Sequence, residues 1–133
     1  MLIEKDIQKI LDKLPDGDYI KVSFDGSDII LRSLDDASKL SLMTLVYYGG
    51  NYIPLSVRHC LSHKSPFPHQ PIQTFLTIDE QNFQIHLHYR GNATPLTNSQ
   101  FKDLLEDFGA IAEKWRIYLD EHDSNDLVYV RVK

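Results

Sequence analysis

The sequence predicts an α+β fold in which an antiparallel sheet of hairpins carries helices, in the order α-β-β-β-α-β-β-α over 133 residues. Three observations carry this expectation. Apolar residues recur at helical spacing near the start. They then alternate strictly on either side of two tight turns. Helical spacing returns over one long, capped segment towards the end.

The first element has Ile3, Ile7, Ile10, Leu11 and Leu14 on one helical face, with lysines and acids on the other, and Pro15-Asp16-Gly17 stops it. In "YIKVSF", Ile20, Val22 and Phe24 alternate with Tyr19, Lys21 and Ser23, which gives a strand with one buried face. Asp25-Gly26 supplies the hairpin turn, and a second strand follows in "DIILRSL". "KLSLMTLVYYGG" is the third strand, closed by two glycines. "PLSVRHCLSH" reads as a short helix with proline near its start. "KSPFPHQP" holds three prolines and must be extended or turning. Next, Ile72, Thr74, Leu76 and Ile78 alternate before a turn near Glu80–Asn82, and Phe83, Ile85, Leu87 and Tyr89 alternate after it.

Thr97 followed by Gln100 makes a capping-box start for the last helix. Phe101, Leu104, Leu105, Phe108, Ala112, Trp115 and Leu119 share its apolar face. From Thr97 to Leu119 the helix would run roughly 34 Å, enough to cross a small sheet. Gly109 costs roughly 1 kcal/mol relative to alanine inside a helix, and its place at the edge of that face suggests a close approach of the sheet. "DLVYVRV" closes the sequence with period-two alternation that fits an edge strand.

Composition places these elements in one globular domain over 1–133, with 42% apolar and 25% charged residues. Residues 1–36 hold nine acids and five bases, and residues 103–133 eight acids and four bases. The middle, 37–102, holds two acids, five bases and five of the six histidines. Without a concentrated basic stripe, nucleic acid is not an expected partner. No apolar run approaches the roughly 20 residues of a membrane helix, and the first residues lack the pattern of a secretory signal. The single cysteine, Cys60, fits a reducing compartment, so the cytoplasm is the expected location.

Candidate chemistry is sparse. His86 and His88 share one side of a strand, as metal ligands sometimes do. Their neighbours Ile85 and Leu87 take the apolar side, which makes the pair a polar-face feature. His59 and His63 flank Cys60 at helical spacing, but zinc sites usually bring a second ligand pair, and no second cysteine exists. A Cys60–His nucleophile is outweighed by an inert buried thiol. No phosphate loop, dinucleotide fingerprint or nucleophile elbow occurs. The expectation is no enzyme, no metal and no cofactor.

The element order, the length and the acidic charge resemble the class I type III secretion chaperones of Gram-negative pathogens. The resemblance is most specific in "LTIDEQNFQIHLHYRG", two strands around an acidic turn. It continues in "LTNSQFKDLLEDFGAIAEKWRIYL", a last helix with Phe108 and Trp115 seven apart. It implies a twisted antiparallel sheet carrying helices, and a dimer through the middle helix and adjacent strand. The implied function is binding the extended N-terminal segment of a secreted effector or gatekeeper protein. The implied partners are that client and a second chaperone subunit, identical or related, with no membrane. An alternative from another class is a regulatory adaptor that binds the transcription machinery, RNA polymerase or a sigma factor.

The segment 53–67 carries more apolar surface than one short helix can bury against its own sheet. It is therefore the expected dimer interface, through Leu55, Val57, Leu61 and Phe67. Clients are expected on other apolar ground near the first helix and first strands, at Ile3, Ile7, Ile10, Ile20 and Val22.

Overall fold

The computed structural model describes residues 19–24, 27–34, 39–61, 66–67, 70–92 and 97–132, the side chains of 24, 34, 98 and 124–132 excepted. The helix expected over 1–14, with Ile3, Ile7 and Ile10, lies outside the described residues. Five strands follow: β1 (Tyr19–Phe24), β2 (Ser27–Leu34), β3 (Lys39–Tyr48), β4 (Phe75–Asp79) and β5 (Gln84–Asn92). They form one antiparallel sheet in the order β1-β2-β3-β5-β4. Helix α1 (Leu55–Leu61) stands between β3 and β4 in sequence, and α2 (Asn98–Val132) follows β5.

Alternation along the strands decides which sheet face is covered. Val22, Ile29, Leu31, Leu42, Ile85 and Leu87 all point to one side and are buried there. Phe101, Leu105, Phe108, Ala112 and Leu119, all fully buried, supply the face of α2 in the same core. Fully burying one such large side chain contributes roughly 1.5–3 kcal/mol. The pairing of β3 with β5 slips between Leu45 and Tyr47, and at this bulge two successive residues, Val46 and Tyr47, are both buried.

The turns follow local chemistry. Asp79 accepts hydrogen bonds from the backbone N–H groups of Gln81 (3.1 Å) and Asn82 (3.2 Å) and from the Asn82 amide (2.7 Å). Phe83, with φ +56°, then turns the chain into β5. After β3, the Gly49 N–H donates to the Phe83 carbonyl at 2.8 Å. A Cβ at Gly49 would run into the Tyr52 carbonyl oxygen, and Gly50 has φ +78°. Gly49→Ala is expected to cost more than about 1 kcal/mol, read as a lower denaturation midpoint; an unchanged midpoint would show that the loop shifts freely.

The capping box forms in both directions. The Gln100 N–H donates to Thr97 Oγ1 at 3.1 Å, and the Thr97 N–H donates to Gln100 Oε1 at 3.0 Å. Gly109 is buried on α2. The sequence expectation fails at the other end of this helix. Residues 127–132 are not a strand: α2 continues to Val132, 35 residues in all and roughly 52 Å long. No proline or glycine lies between 120 and 132, and extending a formed helix avoids the nucleation cost that a new element must meet.

Side-chain contacts hold α2 to its surroundings. Ser56 donates to the His122 carbonyl at 3.1 Å, and Arg116 donates to the Leu45 carbonyl at 3.2 Å. The Tyr47 hydroxyl bonds to Asp123, and burial together with the acids Asp123 and Asp120 pushes its pKa up. No helix among the described residues is long and apolar enough to cross a membrane.

Candidate binding site

A cavity of about 480 Å³ opens where α1, the segment 70–74, β4 and α2 meet. Its walls include Leu61, Phe67, Ile72, Leu76, Leu87 and Trp115. Trp115 is 5% exposed and lies edge-on to Phe67, with ring centroids 5.2 Å apart. Tyr118 completes the aromatic group, 5.7 Å from Phe67 and 5.8 Å from Trp115. Gln70, also at the wall, has a buried Nε2 with no hydrogen-bond acceptor among the described residues. A buried amide donor left unpaired costs roughly 1–3 kcal/mol, so this cavity favours an occupant carrying an acceptor. Beside it runs β4, the last strand of the sheet, with no further strand on its outer side among the described residues. A cavity with aromatic and aliphatic walls and polar groups at Gln70, Gln73 and Thr74, set beside an open strand edge, suits an extended peptide, which brings both side chains and main-chain polar groups.

Helix α1 is tied to its surroundings through Arg58. Arg58 grips Glu80 through two hydrogen bonds of 2.8 and 3.0 Å and donates to the Ile53 carbonyl at 3.0 Å, joining α1 to the β4–β5 turn. The four side chains expected at a dimer face separate on this short helix and the segment after it. Leu55 is 65% exposed, whereas Val57 is fully buried in its own chain. Leu61 is half-buried on the cavity wall, and Phe67 packs on Trp115 and Tyr118. The apolar surplus assigned to this segment is thus largely absorbed within the chain, because α2 passes close enough to cover Val57. Of the four, Leu55 is the open surface. Tyr48 and Tyr52, 63% and 53% exposed, precede it in sequence.

Of the expected client-binding residues, Val22 is in the core at 8% exposure and Ile20 packs against it. Neither is an open surface in the free chain. Gln70, Ile72 and the other cavity residues were not expected as a site. Their signal was the proline-rich run ending at Pro71, which forces an irregular approach to β4; the alternation over 72–78 hid it by reading as strand throughout.

Cys60 is buried, donates to the Ser56 carbonyl at 3.4 Å, and has its pKa pushed up by burial. An activated nucleophile shows the opposite shift. His86 and His88 stand on the face opposite the core, as expected, but they are half-buried rather than solvated. His88 stacks on Phe75 (centroids 5.0 Å apart) and shares a 2.7 Å hydrogen bond with Thr77. No group of three potential metal ligands exists among the described residues.

Burial holds both imidazoles below their ordinary value of 6.5, so the unfolded chain takes up protons more readily there. Their contribution to stability is complete above that value and is lost as pH falls through the lowered folded pKa values. The urea midpoint is expected to fall between about pH 7.5 and about pH 5. The His86→Gln, His88→Gln double variant should flatten that dependence; an unaltered pH profile would contradict the burial of the pair.

No protein-family model and no curated relative matches the sequence. Solved structures do match. A chain of the ExsC–ExsE complex superposes with a TM-score of 0.65 and 19% identity, over 90% of this chain and 97% of that one. A chain of the HopA1–SchA chaperone–effector complex gives a TM-score of 0.58 and 20% identity, over 84% and 88%. A chain of the complex between the Yersinia pestis type III secretion chaperone SycH and a YscM2 fragment gives 0.57 and 13%, over 84% and 94%. The likeness lies in the fold. This chain has the five-stranded antiparallel α+β fold found in type III secretion chaperone complexes.

Proposed function

We propose that this chain is a cytoplasmic chaperone that binds a secreted protein and keeps its N-terminal segment extended for secretion, working as a homo- or heterodimer. The observation that carries the reading is the cavity, aromatic and aliphatic on one side and lined by Gln70, Gln73 and Thr74 on the other, beside the open edge of β4, with a Gln70 amide that has no partner among the described residues. Main-chain pairing along a strand edge supplies affinity without requiring the client to fold, and a cavity for one large side chain supplies selectivity. Similar folds in a chaperone–effector complex and in a chaperone bound to a protein fragment support the same class of function.

The second subunit would meet this one through Leu55, whose exposure leaves an apolar residue in water. Leu55→Asp should convert a dimer into a folded monomer. Sedimentation gives the mass, and circular dichroism checks the fold. A wild-type chain that stays monomeric, alone and with its client, would remove the dimer from the proposal.

A further inference from the structure

The sheet face opposite the core carries a second surface, which meets the cavity only at Phe75. Strand register places its residues in rows. Tyr19, Arg32, Ser41 and Arg90 stand side by side across β1, β2, β3 and β5. The next row on the same face holds Lys21, Ile30, Met43, His88 and Phe75. Arg32 and Arg90 flank Ser41 at two strand spacings, roughly 10 Å apart. Each guanidinium lies over an aromatic ring, Arg32 over Tyr19 at 5.9 Å and Arg90 over Phe75 at 6.0 Å. Neither forms an ion pair among the described residues, although Lys21 on the same face is paired with Asp28 at 3.4 Å.

Among the polar residues expected of a solvated sheet face, Ile30, Met43, Leu45 and Phe75 add apolar side chains near these two cations. Ile30 and Met43 are half-buried, and Leu45 and Phe75 are 38% and 44% exposed. We infer that this outer face docks an acidic amphipathic polypeptide segment, its carboxylates on Arg32 and Arg90 and its apolar side chains on Ile30, Met43, Leu45 and Phe75. Charge complementarity selects the acidic partner: two cations without an ion pair among the described residues lie in one row, Lys21 stands in the next, and the carboxylate of Asp28, a row further on, is already engaged by Lys21 and Ser23. A nucleic acid fits less well, because two guanidiniums cannot offset a chain of net charge −5. An aromatic ring within 6.0 Å of each guanidinium adds a cation–π contact that favours this position, from which the planar fork of donors can meet a carboxylate.

The test uses the isotopically labelled full chain and two synthetic 14-residue amphipathic peptides, one of leucine and glutamate, one of leucine and lysine. The glutamate peptide is expected to shift amide signals on β2, β3 and β5 around Arg32, Met43 and His88. The Arg32→Glu, Arg90→Glu double variant should weaken binding by about tenfold or more, since two exposed charge pairs are lost and replaced by repulsion. The Arg32→Gln, Arg90→Gln variant should fall between it and the wild type, and serves in its place should the charge reversal disturb the fold. Equal binding of the lysine peptide would overturn the inference. So would shifts confined to the β4 edge, no binding at millimolar peptide, or undiminished affinity in the glutamine variant.

Discussion

Trp115→Ala is expected to lower the stability of the chain by about 3–5 kcal/mol, enough to drop the thermal midpoint by roughly 10 °C or more. The indole is 5% exposed and joins three parts of the structure: α2, which carries it, the Phe67 segment, and the cavity wall beside β4. Removing it leaves Phe67 and Tyr118 without their edge-on partner and enlarges a space that already holds about 480 Å³. The wall cannot close over that loss, because Leu87 on the sheet is held by ladder pairing on both sides. Trp115→Phe should recover part of the loss. A midpoint within a degree or two of wild type would take Trp115 out of the core.

Val57→Asp is expected to abolish the fold rather than only the assembly. Val57 is fully buried between α1 and the rest of the core, so the new carboxylate must either stay charged without a partner or take up a proton. Either costs several kcal/mol, comparable with the whole stability of a domain this size. The contrast is with Leu55, two residues earlier on the same helix and 65% exposed, where aspartate should leave the monomer intact. Circular dichroism on both variants separates the roles. A folded Val57→Asp monomer would mean that α1 is not held against the core as described.

Much of this architecture was legible in the sequence because local rules govern it. Period-two alternation marks β1, β4 and β5, the Asp25-Gly26 turn marks β2, two closing glycines mark β3, and the reciprocal bonds of Thr97 and Gln100 are the capping box their spacing predicts. The apolar stripe that includes Phe108 and Trp115 is the stripe that α2 buries. Three features were not legible, each for a physical reason. On a helix of seven residues both sides look apolar, so only the position of α2 decides that Val57 turns inward and Leu55 outward. The alternation of residues 127–132 suits a strand, yet a helix already running into that segment continues through it. The cavity depends on residues 70–74 arriving irregularly at β4, and on the non-local pairing of β3 with β5 that sets Leu87 behind it. Neither leaves a periodic trace.

The central claim is that the cavity beside β4 receives the extended N-terminal segment of a secreted protein. Gln73 is exposed at that cavity, so a photo-crosslinking amino acid placed there samples whatever occupies it without disturbing the core. After irradiation in the native cell, the crosslinked peptides should map to the N-terminal, protease-sensitive segment of a secreted protein, and should disappear when Gln70 and Leu76 are replaced by bulky residues that fill the site. Crosslinks to a folded domain, to the transcription machinery, or unaffected by filling the cavity would contradict the account.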